Sequence, residues 1–286
     1  MSLEQQVANL VEASNKLTNS VNDKISEIDN KVNDATSAVP EKIRNEMFIY
    51  LYIDAIAGND SNDGKGWAHA KKTLQNAIES SPSGAYLSIY LQEGQTHVLD
   101  KRDINCSNRV VMISGRNYVY NDPNTYVELT SLPYARSDGR SASYGFTVGL
   151  QGLVFLRGIK ANTAKVDSSY DGKPFYSYTG SLFKTQTSKG TVILEHVELN
   201  IFHAPIMHQH TDGSLGVSDL LMRNVDIIKH DLSGMSVTTG RQYLMDTHGN
   251  QPLPFSLYGV EMVLQGATGW PELINQDMTN ALTNLV

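Results

Sequence analysis

Apolar or small side chains near the N-terminus recur alternately every three and four residues. This spacing predicts an α-helix whose narrow apolar seam packs against another helix, as in a coiled coil. Two successive steps of four, from Leu17 to Val21 to Ile25, add a stutter that locally unwinds a supercoil. We expect residues 1–40 to be a stalk that joins copies of the chain; the alternative is a single amphipathic helix packed on its own domain. The predicted seam residues are Leu3, Val7, Leu10, Leu17, Val21, Ile25, Ile28 and Val32.

The pattern changes after Pro40, which we take as the end of the stalk. An apolar strand is followed by the loop "GNDSNDG" and then by "KKTLQNAI", in which Leu74, Ala77 and Ile78 share one helical face. A parallel stack of strands leaves an open apolar core at its end, and natural repeat proteins cover that end with an atypical unit. We therefore expect residues 41–80 to contain a linker, an entry strand and a helical cap.

Residues 81–268 alternate between apolar and polar positions in short runs, which is typical of β-strands. Two sets of segments repeat at irregular intervals, which favours stacked β-coils with loops of different length. The alternative is a β-sandwich in which the similarity is coincidental. The first set aligns on the branched residues Ile159, Val197, Val225 and Val260. The second set aligns on the inward-pointing residues Phe146, Phe183, Met207 and Met245.

The last segment, residues 269–286, has Pro271 near its start and places apolar residues on one helical face. We expect an amphipathic helix that caps the final coil or joins another interface between copies. The residues on that face are Leu273, Ala281, Leu282 and Leu285.

The composition of the 286 residues argues against several classes of protein. A formal net charge of −7, with no long run of Lys or Arg, argues against binding to nucleic acid. The single cysteine, Cys106, cannot form an internal disulfide and has no neighbouring cysteine for redox or metal chemistry. We expect no secretory signal, because the first residues lack a basic region followed by a continuous apolar run, and the longest apolar runs are far shorter than the roughly 20 residues of a membrane helix. We expect no membrane insertion and no cofactor.

The strand that ends in "YIDAIAGNDSNDG", the following "KKTLQNAI" and the irregular β-coils together resemble the right-handed parallel β-helix proteins of the pectin-lyase-like group. With its N-terminal helical stalk, the chain is similar to tail fibre and tailspike proteins of tailed bacteriophages. The specific part of this resemblance covers residues 1–80, and the later coils match only in pattern. The expected fold class is therefore mainly β: a right-handed, single-stranded parallel β-helix preceded by an N-terminal α-helical coiled coil.

The resemblance implies a function as well as a fold. It implies a homotrimer that is made in the host cytoplasm, becomes part of the phage tail in the virion, and contacts other tail or baseplate proteins. We expect a structural and receptor-binding fibre that attaches to the host surface, with a cell-surface polysaccharide as the expected receptor. The alternatives are a polysaccharide depolymerase, either lyase or hydrolase, and a purely structural fibre that connects other tail proteins.

Polar residues of the second repeat predict one site for glycan binding. Alternate side chains of a strand face opposite sides, so Lys184, His208 and Asp246 are expected in one outward column and Gln186, His210 and His248 in the next. Such side chains can bond to sugar hydroxyls, and aromatic rings can stack on sugar rings. The alternative is an ordinary solvated face. The predicted glycan-binding residues are Lys184, Gln186, His208, His210, Asp246, His248, Tyr176 and Tyr178.

Metal binding and catalysis rest on fewer residues. His208 and His210 lie at i and i+2 of a predicted strand, a spacing that can bind a transition metal but is more often only exposed. Cleavage of a polysaccharide by a hydrolase requires two carboxyl groups about 5–10 Å apart. Glu198, Asp226 and Glu261 follow the branched positions of successive coils, which is typical of a surface ladder. We assign no catalytic residue, and binding without cleavage is the preferred hypothesis.

Overall fold

The chain divides into two compact units, residues 1–46 and residues 47–286. The computed structural model describes residues 2–149, 151–170, 173, 175, 180–185, 190–209, 218–235, 237, 240–247, 255–275 and 281–285.

The first unit consists of an α-helix, α1 (Leu3–Met47), of 45 residues, whose last residue is the first of the second unit. The predicted boundary at Pro40 is wrong, because the helix continues through this proline to Met47 and no linker separates it from the first strand. Proline has no N–H to donate to the carbonyl of Thr36, so the helix lacks this one hydrogen bond.

The surface of α1 carries both apolar and charged side chains, and none of its residues is buried. The predicted seam residues are between 47 and 76 % exposed. Ion pairs one helical turn apart, such as Glu12–Lys16 and Glu27–Lys31 at 2.7 Å, lie among the solvated residues. The helix itself therefore forms where the heptad pattern predicts it, with its apolar seam open.

The second unit is mainly β. Its strands are β1 (Phe48–Ile53), β2 (Tyr86–Leu91), β3 (Thr96–Leu99), β4 (Ile104–Asn105), β5 (Val110–Gly115), β6 (Val127–Ser131), β7 (Pro133–Ala135), β8 (Ser141–Ser143), β9 (Phe146–Thr147), β10 (Leu153–Asn162), β11 (Phe183–Thr185), β12 (Thr191–Ile201), β13 (Met207–Gln209), β14 (Ser218–Lys229), β15 (Met245–Thr247), β16 (Phe255–Gln265), β17 (Ile274–Asn275) and β18 (Ala281–Leu285).

Nearly all of these strands pair in parallel, in two sheets. The large sheet has the order β1-β2-β5-β10-β12-β14-β16-β18, with β6 alongside the second half of β10 and β3 beside β6. The second sheet has the order β4-β9-β11-β13-β15-β17, and β7 and β8 form a separate antiparallel pair. The succession of strands, alternating between sheets from β9 to β18, is consistent with a parallel β-helix.

The core lies between the two sheets and follows the predicted alternation. On β10 the side chains of Val154 and Leu156 are buried, whereas Phe155 between them is only partly buried. On the second sheet the predicted inward residues are confirmed, because they are buried and pair directly from strand to strand. They are Phe146, Phe183, Met207 and Met245.

Each long strand of the large sheet contains an elbow, a residue with positive φ that interrupts the pairing. The four elbow residues have φ between 51° and 61°, and each is followed by a strand segment that resumes pairing. The predicted alignment of Ile159, Val197 and Val225 is confirmed. The fourth position is wrong, because Val225 pairs with Met262 while Val260 pairs with Arg223. The elbow residues are Gly158, His196, Asn224 and Glu261.

The misplaced fourth position has a local cause. Gly259 precedes Val260 and so imitates the small-then-branched pattern of the other long strands. The left-handed conformation instead falls on Glu261, a residue type for which it is unusual. Gly259 therefore fits the sequence pattern of an elbow, but Glu261 forms the elbow.

The loop "GNDSNDG" and the short helix α2 (Leu74–Glu79) form the end of the body next to β1. Leu74, Ala77 and Ile78 are buried, so the predicted apolar face of this helix is confirmed. Both carboxylate oxygens of Asp60 accept hydrogen bonds, from the backbone N–H groups of Lys72 and Thr73 and from the Thr73 hydroxyl, at 2.8–3.0 Å.

The ammonium of Lys71 is the second tie in this loop. It donates to the carbonyl oxygens of Asp60 and Asn62, at 3.3 and 2.8 Å, and to Oδ1 of Asn76 at 2.8 Å. Lys71 thus places a positive charge among oxygens of the loop and connects the loop to α2.

The predicted amphipathic helix over residues 269–286 is wrong. A 3₁₀ turn at Trp270–Glu272 is followed by β17, and β18 pairs in parallel with β16. The edge of β16 offers unpaired backbone groups, and pairing with them outweighs a weak helical periodicity. Leu273 is buried, as the apolar pattern predicted, but within a turn.

Candidate functional site

The column predicted for glycan binding exists, but it is not on the surface. Lys184 pairs with His208, and His208 pairs with Asp246, in consecutive strands of the second sheet. Their exposed fractions are 1, 1 and 0 %. These three side chains face away from the apolar core, but other parts of the body cover them. The prediction of an outward polar ladder is therefore wrong for Lys184, His208 and Asp246.

The positive charge of the buried Lys184 is neutralised by a nearby carboxylate. The ammonium of Lys184 pairs with the carboxylate of Asp103 and donates to the carbonyl oxygen of Ser143 at 2.9 Å. Burial lowers the pKa of Lys184, and the attraction of Asp103 works in the opposite direction. Because buried charges are stable only when paired and hydrogen-bonded, these contacts explain how a lysine is accommodated here.

Asp246 is compensated in the same way. Arg241 forms a two-pronged ion pair with it, Nδ2 of Asn275 donates to it at 2.8 Å, and Nδ1 of His208 lies 3.4 Å away. Burial works to raise the pKa of Asp246, but the hydrogen bonds from His208, Arg241 and Asn275 hold it below its usual value. The contacts of this column are internal to the body, which indicates a structural role.

The other predicted site residues lie outside the described part of the chain, so the structure does not test them. The pairing of His208 with His210 as metal ligands stays a prediction for this reason. Among the described residues, no group of three or more His, Cys, Asp or Glu side chains is placed to hold a metal ion. The residues outside the described part are Gln186, His210, His248, Tyr176 and Tyr178.

A groove that the sequence analysis missed lies on the outer side of the large sheet, near β1. Tyr52 and Tyr90 pair directly across β1 and β2, and their rings stack with centroids 5.5 Å apart. The ring of Trp67 meets Tyr52 edge to face at 4.9 Å. Arg116 lies over Trp67, 4.5 Å from the ring centroid. These side chains form an aromatic platform with a cation at its edge.

The opposite side of this groove is formed by Tyr118 and Arg157. The ring of Tyr118 packs against Gly158, where an added Cβ would lie 2.2 Å from Cγ of the ring. The positive φ favours glycine at this elbow, and the close approach of Tyr118 requires it. The volume of this open groove is about 550 Å³. We call this cavity the aromatic groove; its lining includes Tyr52, Trp67, Tyr90, Arg116, Tyr118 and Arg157.

A second cavity of about 510 Å³ shares Arg116 and Asn117 with the aromatic groove. We call it the polar cavity; its lining includes Tyr126, Glu128 and Lys160. Both volumes fall in the range of small-ligand sites. An aromatic platform beside hydrogen-bonding groups is suited to a ligand with an apolar face and many hydroxyl groups, which is the chemistry of a sugar.

Carboxylates continue from the polar cavity along the sheet. Lys160 pairs in register with Glu128 on one side and with Glu198 on the other, and its ammonium lies 3.2 Å from Glu198. Asp226 pairs with Glu198 on the next strand. Burial and the nearby Glu198 raise the pKa of Asp226. Asp226 therefore holds its proton more tightly than an ordinary aspartic acid does.

The row corrects one sequence expectation and affects a neighbouring tyrosine. Glu261 is not part of it, because Glu261 is an elbow residue and Val263 pairs with Asp226.

Burial, together with the charges of Asp226 and Glu198, raises the pKa of Tyr126 to about 12. Tyr126 therefore stays a neutral hydrogen-bonding group to a higher pH than an ordinary tyrosine does.

Sequence reasoning could have found part of the aromatic groove. In "YLYI" and "SIYL" the tyrosines alternate with inward apolar residues, so Tyr52 and Tyr90 are predicted on the outer face. Their pairing, and the approach of Trp67 from the loop, depend on strand register and could not be read from the sequence.

Among the described residues, no helix is both long and apolar enough to span a membrane. Comparison of the chain with protein-family models, curated proteins and solved structures finds no match.

Proposed function

We propose that this protein is a fibre of a bacteriophage tail, in which three copies associate through α1 and the β body attaches to a glycan of the host surface. In this proposal the body is a right-handed, single-stranded parallel β-helix. The order of the parallel strands and the elbow in each long strand support that fold. The resemblance of residues 1–80 to tail fibre and tailspike proteins supports the assignment to a virion.

The observation that carries the proposal is the open seam of α1. Eight large aliphatic side chains at coiled-coil spacing are all exposed along a helix that has no buried residue. Burying one such side chain is worth about 1.5–3 kcal/mol, so water strongly disfavours an isolated helix of this kind. Association of identical helices removes the seam from water without requiring another protein.

Light scattering of the full chain tests this association. The expected mass of the native protein is three times that of the 31.5 kDa chain. Replacing Leu17 and Ile28 by Asp should reduce the mass towards that of one chain, because the variant places charge in the seam. The matched control replaces Asn19 and Asn30, which lie on the opposite helical face, by Asp. A monomeric native protein would overturn the proposal.

The aromatic groove supports the glycan part of the proposal. The chain has two tryptophans, Trp67 in the groove and Trp270 in the turn before β17. Replacing Trp270 is therefore the matched control for replacing Trp67. We expect immobilised bacterial surface polysaccharides to capture the native protein and the Trp270→Phe variant. Trp67→Ala should lose most of this binding while keeping its circular dichroism spectrum. Equal binding by Trp67→Ala would exclude the groove as the glycan site.

The raised pKa of Asp226 beside Glu198 favours one second function, polysaccharide depolymerase activity. Two neighbouring carboxyl groups, one of them with a raised pKa, are the arrangement that a glycosidase uses as acid and base. The test is an assay for reducing and unsaturated ends released from the captured polysaccharide. Release by the native protein and none by Asp226→Asn would support cleavage. Absence of release by the native protein would leave binding as the function.

A further inference from the structure

Lys184 and Asp103 bring an amine and a carboxyl group together inside the body. Lys184 lies on β11 and Asp103 directly precedes β4, and these two strands flank β9 in the second sheet. Nζ of Lys184 contacts Oδ1 of Asp103, although 81 positions separate the two residues along the chain. Two groups that a fold holds in contact react at a far higher effective concentration than the same groups free in solution.

Backbone groups of one short segment hold both partners in place. The carbonyl oxygen of Ser143 accepts a hydrogen bond from Nζ of Lys184 at 2.9 Å. The backbone N–H of Gly145 donates to Oδ1 of Asp103 at 3.0 Å. When a nucleophile attacks a carboxyl carbon, negative charge develops on the oxygen, and an N–H donor at that oxygen stabilises it. The segment therefore orients the amine and prepares the carboxyl group for attack.

The two reacting groups differ in their access to water. The side chain of Lys184 is 1 % exposed, whereas that of Asp103 is 27 % exposed. Burial lowers the pKa of Lys184, although the charge of Asp103 opposes this effect, and a lysine amine is nucleophilic only in its neutral form. The partial exposure of Asp103 gives a small leaving molecule such as water a path to the solvent.

His208 lies beside this pair and is suited to carry protons. It pairs in register with Lys184 on the adjacent strand, which lies about 4.8 Å away. Its Nδ1 is 3.4 Å from Oδ2 of Asp246, and a carboxylate at one ring nitrogen orients the ring. Histidine is the most frequent carrier of protons in enzymes because it exchanges them near neutral pH.

We propose that this pair is a site of self-modification, at which the chain joins Nζ of Lys184 to Cγ of Asp103 by an amide bond. The lysine ammonium gives up two of its three protons, and the electron pair of Nζ forms the new bond to Cγ. The bond from Cγ to Oδ2 breaks, and Oδ2 takes up the two protons and leaves as water. Oδ1 stays at the N–H of Gly145 as the amide oxygen, and His208 carries the protons. The reaction consumes no oxidant and no cofactor.

The bond would fix the body at a point that hydrogen bonding alone holds in other parallel sheets. It closes the chain between β4 and β11 into a covalent loop, and a cross-link across a long loop stabilises a protein by restricting its unfolded state. Neither a second copy of the chain nor a glycan takes part in the reaction. The inference therefore stands or falls independently of the proposed function.

The intact mass of the native full chain, measured after denaturation, tests the proposal. Formation of the amide removes one water, so the mass should be about 18 Da lower than that of the unmodified sequence. Trypsin should then release residues 103–109 joined to the peptide that contains Lys184. An intact mass equal to that of the sequence, with residues 103–109 released as a separate peptide, would overturn the proposal.

Two variants test the roles of the individual side chains. Lys184→Arg keeps the positive charge, but a guanidinium is always protonated and does not form the amide, so this variant should keep its full mass. Loss of water by Lys184→Arg as well would place the dehydration elsewhere in the chain and overturn the proposal. His208→Gln should gain the bond several-fold more slowly than the native chain, in samples taken at intervals after synthesis. An equal rate would overturn the role of His208 as the proton carrier.

Discussion

Arg241 donates from Nε and Nη2 to the two carboxylate oxygens of Asp246, at 2.9 and 2.5 Å. The two partners differ in their access to water, because Asp246 is completely buried whereas the side chain of Arg241 is 31 % exposed. Such a two-pronged pair fixes both orientation and distance. It holds the segment before β15 against the buried polar column of the second sheet.

The unequal burial of this pair predicts unequal costs of removing its members. Arg241→Met leaves a buried carboxylate without its cation and should reduce the free energy of unfolding by about 3–5 kcal/mol. Asp246→Asn leaves a guanidinium that can still reach water, so its cost should be smaller. Urea denaturation at pH 7 measures both values. A larger loss for Asp246→Asn than for Arg241→Met would contradict this account.

The lowered pKa of Asp246 predicts how its contribution depends on pH. A carboxyl whose pKa is lower in the folded state stabilises the protein above its unfolded pKa of about 3.9, and this stabilisation is lost as the pH falls through the folded value. The difference in stability between the native protein and Asp246→Asn should therefore shrink below about pH 4. Thermal denaturation from pH 7 to pH 3 measures it. A difference that grows on acidification would contradict the assignment.

The contribution of Asp226 to stability should depend on pH in the opposite way to that of Asp246. Burial and Glu198 raise its pKa, so the protonated form is favoured in the folded state. Its favourable contribution is complete below the unfolded pKa and is lost as the pH rises through the folded value. Asp226→Asn should therefore melt at a higher temperature than the native protein at pH 7 and at nearly the same temperature at pH 3. A lower melting temperature at pH 7 would show that the carboxylate is stabilising as an anion.

Replacing Lys71 should reduce the free energy of unfolding far more than replacing the adjacent Lys72. Lys71→Met removes the ammonium that bonds to Asp60, Asn62 and Asn76, and leaves oxygens of the loop without that donor. The expected loss is about 1–3 kcal/mol. Lys72 is exposed, and Lys72→Met should change stability by less than about 0.5 kcal/mol. Chemical denaturation of both variants tests the contrast, and equal losses would rule out the special role of Lys71.

Glu261 predicts a stabilising substitution. A non-glycine residue in the left-handed region costs about 1–2 kcal/mol, and glycine removes this cost at the expense of some additional freedom in the unfolded chain. Glu261→Gly should therefore stabilise the protein by several tenths to about 1 kcal/mol. Glu261→Ala keeps the strain and is the control. If both variants have the same stability as the native protein, the elbow at residue 261 carries no strain.

Much of the fold could be predicted because it rests on local alternation. The inward set of the second sheet, Phe146, Phe183, Met207 and Met245, follows from period-two spacing and was found in the correct register. The helix α1 and the face of α2 follow from helical spacing in the same way. In these cases the side-chain pattern determines which face is buried.

The errors have a common physical origin. Alternation separates the two faces of a strand, but it does not reveal that distant segments cover the second face, as they do over Lys184 and Asp246. Nor does it show which residues approach from loops, as Trp67 does. The strand β18 was missed because its partner, the edge of β16, is not visible in the local sequence.

The elbows have a consequence for how such a body changes in length. They lie at Gly158, His196, Asn224 and Glu261, with separations of 38, 28 and 37 residues, so segments of unequal size begin and end at equivalent points. Excision of the 28 residues 197–224 would join His196 directly to Val225, which is the partner that Val197 already has in the sheet. The remaining strands would keep the same residues inside and outside, whereas deletion of a single residue within a strand exchanges its two faces. We therefore expect the body to tolerate removal of a whole elbow-to-elbow segment better than removal of a single residue within a strand.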